Sequence, residues 1–277
     1  SILEALRENA TTNPDQLLAL GQHYFDRDEL ETAEKLIKKA LFLNLTSLPV
    51  RVNLAYVLNA REKHREALQI LDFIPDPPAG VLMIRGQAFF ELGKYDEALE
   101  CMEKLEQKRQ STGKPVDVDV LLFKATVLDQ SGKTDEAIQL AEQALTIMPD
   151  SPITLNFLGY VLADADRELD RAEQLILRAV EDLPDSMAFR DSLAWVYFRQ
   201  GRHLEALQEM NQTLRLMHDS GNEDTILFDH AGEIYAVNGF PATAVLFFSR
   251  SLLDAKGVEK KNILEKIEKL QESTTRD

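Results

Sequence analysis

Cysteine is nearly absent. Cys101 is the single thiol among 277 residues, so no intramolecular disulfide can form, and neither a zinc site of paired thiolates nor an iron–sulfur cluster is available. Positive charge is also in deficit: 31 Lys and Arg against 47 Asp and Glu leave a formal charge of -16. Attachment to a phosphate backbone or an anionic bilayer depends on clustered Lys and Arg, so nucleic acid and membrane-surface binding are excluded. No run of about 18 apolar residues is present to span a membrane, and no basic-then-apolar leader opens the chain. The first residue is Ser1, which leaves the compartment unread.

Catalytic signatures are missing as well. There is no G-x-S-x-G elbow, no phosphate loop and no G-x-G-x-x-G after a strand. His23, His64, His203, His218 and His230 form no His-x-x-x-His or Glu-x-x-His ligand pair. His230, inside a helical stretch beside Asp229, reads as a hydrogen-bonded structural histidine. Cys101 occupies an apolar helical position with no base in reach, so a nucleophilic role lacks support. The chain reads as a non-enzyme with no cofactor and no metal.

With 12 glycines and 10 prolines, breakers are sparse, and strand-like alternation is absent. Apolar residues recur instead at helical spacing along the whole length, which predicts an all-α fold. The length fits one elongated domain or two compact ones. An alanine after an acidic or polar pair recurs at Ala33, Ala67, Ala98, Ala137, Ala172, Ala206 and Ala244, at spacings of 34, 31, 39, 35, 34 and 38. A second small residue precedes it by twelve positions at Gly21, Ala55, Gly86, Ala125, Ala194 and Gly232, and by thirteen at Gly159. Two antiparallel helices approach to about 8 Å only where the side chains at the crossing are small. Around these points stand Leu20-Gly21 with Tyr24, Arg85-Gly86 with Phe89, Leu158-Gly159 with Leu162, and Ala231-Gly232 with Tyr235.

This pattern resembles the tetratricopeptide repeat, a helix–turn–helix unit of 34 residues. The resemblance covers nearly the whole chain and implies an all-α, right-handed α-α superhelix. Repeats are expected at 14–47, 48–78, 79–117, 118–151, 152–186, 187–224 and 225–256, with a capping helix at 257–273 and a tail at 274–277. Gly93, Gly132, Gly201 and Gly239 share the position that closes the first helix of a repeat with a left-handed residue. The second repeat is short, because Ile74-Pro75-Asp76-Pro77-Pro78 ends its second helix early. EQKRQSTGKPVDVD and MHDSGNED are expected as long connections, either surface insertions or contact loops. In the capping helix, Val258, Ile263, Leu264, Ile267 and Leu270 are expected on one face. Ile2, Leu3 and Leu6 fall in second-helix register, so residues 1–13 are expected to be the remnant of an upstream repeat in a longer protein.

The segment ADADRELD places Asp164, Asp166, Glu168 and Asp170 at alternate positions, in the manner of an oxygen cage for a cation. An EF-hand loop needs glycine at its sixth position and glutamate at its twelfth, where this chain has Leu169 and Leu175. The segment reads as the turn of the fifth repeat, its acids facing water near the positive end of the next helix.

Because first helices line the concave side of such a superhelix, the resemblance also implies a binding groove. In the first three repeats its positions hold Leu18, Gln22, Phe25, Val52, Tyr56, Asn59, Met83, Gln87 and Phe90, which suit an amphipathic helix or an extended apolar peptide. In the last three they hold Asn156, Tyr160, Asp164, Asp191, Trp195, Phe198, Arg199, Asp229 and Glu233, which suit a protein or peptide presenting Lys or Arg beside apolar side chains. Packing between repeats is the alternative for Phe25, Phe90 and Phe198, whereas Trp195 and Tyr160 are placed in the groove. Clamps for acidic chaperone tails need a Lys, Asn and Arg set that this groove lacks, so that mode is rejected. The last 120 residues or so, with LGYVLAD, DSLAWV and DHAGEIY, look like bacterial envelope tetratricopeptide proteins, many of them lipoprotein adaptors. This favours the periplasm or outer membrane, with the cytoplasm left open, and an adaptor function. Self-association, or a regulatory role beside an upstream catalytic domain, remain the alternatives.

Overall fold

A computed structural model describes residues 13–72, 74–220, 225–253, 255 and 257–274. The expected remnant helix with Ile2, Leu3 and Leu6 lies outside the described residues. Among those described, all regular structure is helical, in fifteen α-helices. The chain divides into two compact units, 1–131 and 132–277.

The first unit holds α1 (Pro14–Phe25), α2 (Leu30–Leu43), α3 (Leu48–Ala60), α4 (His64–Leu71), α5 (Ala79–Glu91), α6 (Tyr95–Ser111) and α7 (Val118–Gln130). Here α1 packs on α2, α3 on α4 and α5 on α6, as successive antiparallel pairs. The second holds α8 (Thr134–Ile147), α9 (Pro152–Asp164), α10 (Leu169–Asp182), α11 (Met187–Arg199), α12 (His203–Ser220), α13 (Thr225–Val237), α14 (Pro241–Ser251) and α15 (Gly257–Thr274). Its pairs are α9 with α10, α11 with α12 and α13 with α14, and α15 closes on α14.

Local chemistry sets the helix starts. The side chains of Asn13, Asp117, Ser151 and Ser186 accept from backbone N–H groups in the first turns of α1, α7, α9 and α11. Pro14, Pro152 and Pro241 open helices where their missing N–H costs no hydrogen bond. Each pair needs one left-handed residue to reverse direction. Glycine supplies it at Gly93, Gly201 and Gly239, but Asp28 and Glu62 adopt it at φ 60° and 57° without glycine's freedom. In the fifth repeat two residues do so, Asp166 at 58° and Glu168 at 42°, which absorbs the extra residue in that turn.

The seven repeated alanines are all fully buried, and the small residues opposite them are buried too. A Cβ at Gly159 would lie 2.5 Å from Ile176 Cγ1 and 3.0 Å from the Ala172 carbonyl oxygen, so α9 and α10 touch through the glycine itself. Around these contacts, Leu17, Ile37, Leu54, Leu58 and Leu71 form a core in the first unit. Leu155, Leu158, Leu162, Ile176 and Val196 do so in the second. Each buried aliphatic side chain contributes about 1.5–3 kcal/mol relative to exposure, so interhelical packing dominates the stability.

Three details depart from the sequence reading. α6 continues to Ser111 and α12 to Ser220, so most of the two expected loops is helix, leaving 112–117 after the first; residues 221–224 of the second lie outside the described ones. In α15, Ile263 is buried and Ile267 and Leu270 pack beside it, but Leu264 is exposed, since only i, i+4 and i+7 share that face. The Val258 side chain lies outside the described residues. No helix among the described residues is long and apolar enough to cross a membrane.

Candidate functional site

The expected groove residues of the first unit make a stripe by repeat position on α1, α3 and α5, although Leu18, Phe25 and Val52 pack beside one core cluster and Met83 beside another. Phe25 and Tyr56 pack ring against ring at 5.1 Å, and Tyr56 remains 49% exposed. Gln22 Nε2 donates to Asn53 Oδ1 at 2.9 Å, tying α1 to α3. Asn59 Nδ2 donates to the Ile84 carbonyl at 3.0 Å, tying α3 to α5. Leu18 is half-buried, Gln87 is exposed, and Phe90 leans on Phe123 of α7 at 5.8 Å. Phe25 and Phe90 therefore pack between repeats while still bordering the face.

Behind this stripe lies a charge cluster that the sequence reading missed. Glu34 in α2 is buried, yet it accepts from Lys38 at 2.6 Å, from Lys63 at 2.9 Å and from Arg61. Burial alone would raise its pKa; the cations, Lys38 and Lys63 foremost, outweigh it and lower the carboxyl to about 2. The cluster joins α2 to the α3–α4 hairpin. Its sequence signal is a glutamate directly after a crossing alanine, which recurs only at Ala172-Glu173; Leu, Ile or Val follows the other five.

The second unit treats its groove residues differently. Trp195, placed in the groove by the sequence reading, is buried at 7% exposure. Its indole Nε1 donates to Asp164 Oδ1 at 3.1 Å, its ring stacks on His230 at 4.1 Å and on Phe198 at 5.0 Å, and the Arg199 guanidinium lies 5.8 Å from it. Asp191 is buried as well, with Oδ2 2.8 Å from His230 Nδ1. Burial by itself pushes the His230 imidazole toward neutrality, but Asp191, helped by Asp229 and Asp164, outweighs it and raises the pKa. The expected structural histidine is thus one half of a buried pair. Tyr160 borders the same cluster, its ring 6.0 Å from His230.

Asp229 and Glu233 in α13 also have an internal partner. Lys266 of α15 reaches Asp229 at 2.9 Å and Glu233 at 2.9 Å, and its pKa is raised because these acids outweigh its burial. Two acceptors stay unsatisfied: Asn156 Oδ1 and Asp191 Oδ1 are buried without a hydrogen-bond partner.

The acidic turn of the fifth repeat is likewise spoken for. Asp164 accepts from Trp195, Glu168 pairs with Arg171 at 3.2 Å, and Asp166 lies 3.7 Å from Arg199. These oxygens point to separate partners rather than to a shared centre, and Asp164 is not simply water-facing as expected.

Stacked antiparallel helix pairs with small residues at every crossing define an α-α superhelical repeat protein. Two tetratricopeptide repeat models match, over residues 79–150 and 158–216. Together with the helix-pair fold, the two matches support a tetratricopeptide repeat protein. It is 27% identical over 173 residues to a TPR repeat-containing protein of Pseudomonas aeruginosa, covering 61% of this chain and 28% of that protein. It is 22% identical over 200 residues to human protein O-mannosyl-transferase TMTC1, covering 71% of this chain and 22% of that one. The chain thus spans about a quarter of the length of the curated relatives it matches. A tetratricopeptide repeat protein from Parabacteroides merdae has a similar structure, with a TM-score of 0.69 at 17% identity over 93% of this chain and 98% of that one. At that identity the likeness speaks for the fold alone.

Proposed function

We propose that the chain is a non-catalytic scaffold that holds a peptide or helical segment of another protein against its first-helix faces, as an adaptor in a bacterial envelope assembly. The observation that carries this reading is the stripe of the first unit. Leu18, Gln22, Phe25, Val52, Tyr56, Asn59, Met83, Gln87 and Phe90 carry no charge in a chain whose formal charge is -16. An exposed aromatic flanked by amides offers apolar contact area plus hydrogen bonds, which is the make-up of binding hot spots. Tetratricopeptide proteins in general bind protein partners, and the Pseudomonas relative is consistent with a bacterial setting. The division into seven repeats and a closing helix goes with this reading.

In the second unit Asn156, Tyr160, Asp164, Phe198 and Arg199 border the same kind of face, where exposed Asp164 suits a partner bearing Lys or Arg. Trp195, Asp191, Asp229 and Glu233 contribute there by positioning their neighbours, since each has an internal partner.

A photoreactive phenylalanine analogue at Tyr56, expressed in the native cell, tests the reading. A protein cross-linked from position 56, and not from a control at exposed Gln139, is the expected result. Equal adducts at both positions, or none at 56, would refute it. Self-association is the second reading, favoured by exposed Phe42, Leu45 and Leu48 around the end of α2; light scattering that shows the monomer mass at all concentrations removes it.

A further inference from the structure

The two second helices of neighbouring pairs in the first unit are unequal. α4 has 8 residues and α6 has 17. Pro75, Pro77 and Pro78 offer no backbone N–H, so the chain after Leu71 cannot continue as a helix beside the last turns of α6. The shortfall leaves a cleft of about 590 Å³ between the Ile74–Pro77 segment, α5 and α6. Its volume is that of an ordinary small-molecule site. None of its lining residues belongs to the first-helix stripe, so it is separate from the face proposed above.

Ile74, Pro75, Leu82 and Phe89 form the apolar part of the wall, with Cys101 beside them, and more than half of the lining residues are polar or charged. The charged lining residues divide by direction. Asp76, Glu97 and Glu100 turn to water, their side chains 87%, 45% and 60% exposed, and are already paired with Lys108, Lys94 and Lys104. Arg85 turns inward. Its side chain is 24% exposed, its closest acid is Asp72 at 3.7 Å, and its Nε is buried without a hydrogen-bond partner. The rest of the guanidinium keeps only a long contact to Asp72, so an incoming anion would find a cation without a close partner.

We infer that this cleft binds a small molecule made of an apolar body and one carboxylate, with the accessible part of the Arg85 guanidinium pairing with the carboxylate. The inward cation selects the anionic end and the Ile74, Pro75, Leu82 and Phe89 surfaces select the body. Cys101 is the only thiol of the chain and lines the cleft, so its chemistry reports occupancy.

The test is calorimetric titration of the full chain with hexanoate, octanoate and phenylacetate, each beside its neutral primary amide. Alkylation of Cys101 by iodoacetamide is followed in parallel by mass spectrometry. At least one acid is expected to bind, with its amide about tenfold weaker, as for loss of a charge-assisted hydrogen bond. The bound acid slows Cys101 alkylation, and Arg85→Gln removes the acid–amide difference. The inference is overturned if no acid binds at millimolar concentration, if the amide binds equally well, or if binding leaves the Cys101 rate unchanged. Should Arg85→Gln fail to fold, the acid–amide comparison and the Cys101 rate on the unsubstituted chain decide alone.

Discussion

Replacing Glu34 by Gln tests whether a buried charge cluster holds the first two helix pairs together. Glu34 is the buried acid among Lys38, Arg61 and Lys63, with exposed Glu66 also reaching Lys38 at 3.3 Å, and its carboxyl is lowered from 4.5 to about 2. A shift of that size corresponds to about 3 kcal/mol of linked stability. Because the cations remain partly exposed and rehydrate when their partner is lost, the expected cost is nearer 2 kcal/mol. Repeat arrays open locally, so the suitable assay is amide exchange across α2, α3 and α4, where such a cost accelerates exchange about thirtyfold at pH 7. The pH dependence carries the sign. A lowered carboxyl contributes stability above its ordinary pKa of 4.5, and that contribution fades as pH falls towards 2. The difference between Glu34→Gln and the parent should therefore shrink through this window. Equal exchange at pH 7, or a difference undiminished at pH 2, refutes the reasoning.

The two remaining predictions concern packing and pH. Gly159→Ala places a methyl against the Ala172 carbonyl and should cost about 1–3 kcal/mol, whereas at Gly86 the new methyl meets the flexible end of Met102 and the cost should be under about 1 kcal/mol; thermal melts of both variants decide. The raised His230 pKa contributes stability that is complete below about 6.5 and is lost as pH rises through the folded value, so protection of α11 and α13 should fall on the alkaline side. His230→Gln should flatten that dependence, and an unchanged profile would show that another group is responsible.

The resemblance to a helical repeat was legible because each crossing depends on one residue's size. Ala33, Ala172 or Gly159 can be read without knowing what lies opposite, since only a small side chain fits wherever two helices meet. Turns were half legible: Gly93 and Gly201 announced the left-handed position, but Asp28, Glu62 and Asp166 take it too, because the surrounding helices enforce a conformation their own preferences resist.

Function-bearing side chains were less legible, for a reason visible at Trp195. Repeat position placed Trp195, Asp191, Asp229 and Glu233 on the first-helix face. Whether a side chain there meets a partner or a neighbouring helix depends on the next repeat. His230 stands 35 residues beyond Trp195 and 39 beyond Asp191, and Lys266 stands 37 beyond Asp229. The sequence alone determined the helix-pair repeat, its small-residue crossings and the absence of clustered positive charge, since these are local and periodic. Only the tertiary structure decided that α15 places Lys266 between two acids, that Glu34 gathers three cations and that the short α4 opens a cleft over Arg85. Those outcomes depend on distances between residues far apart in the chain, and periodicity carries no information about them.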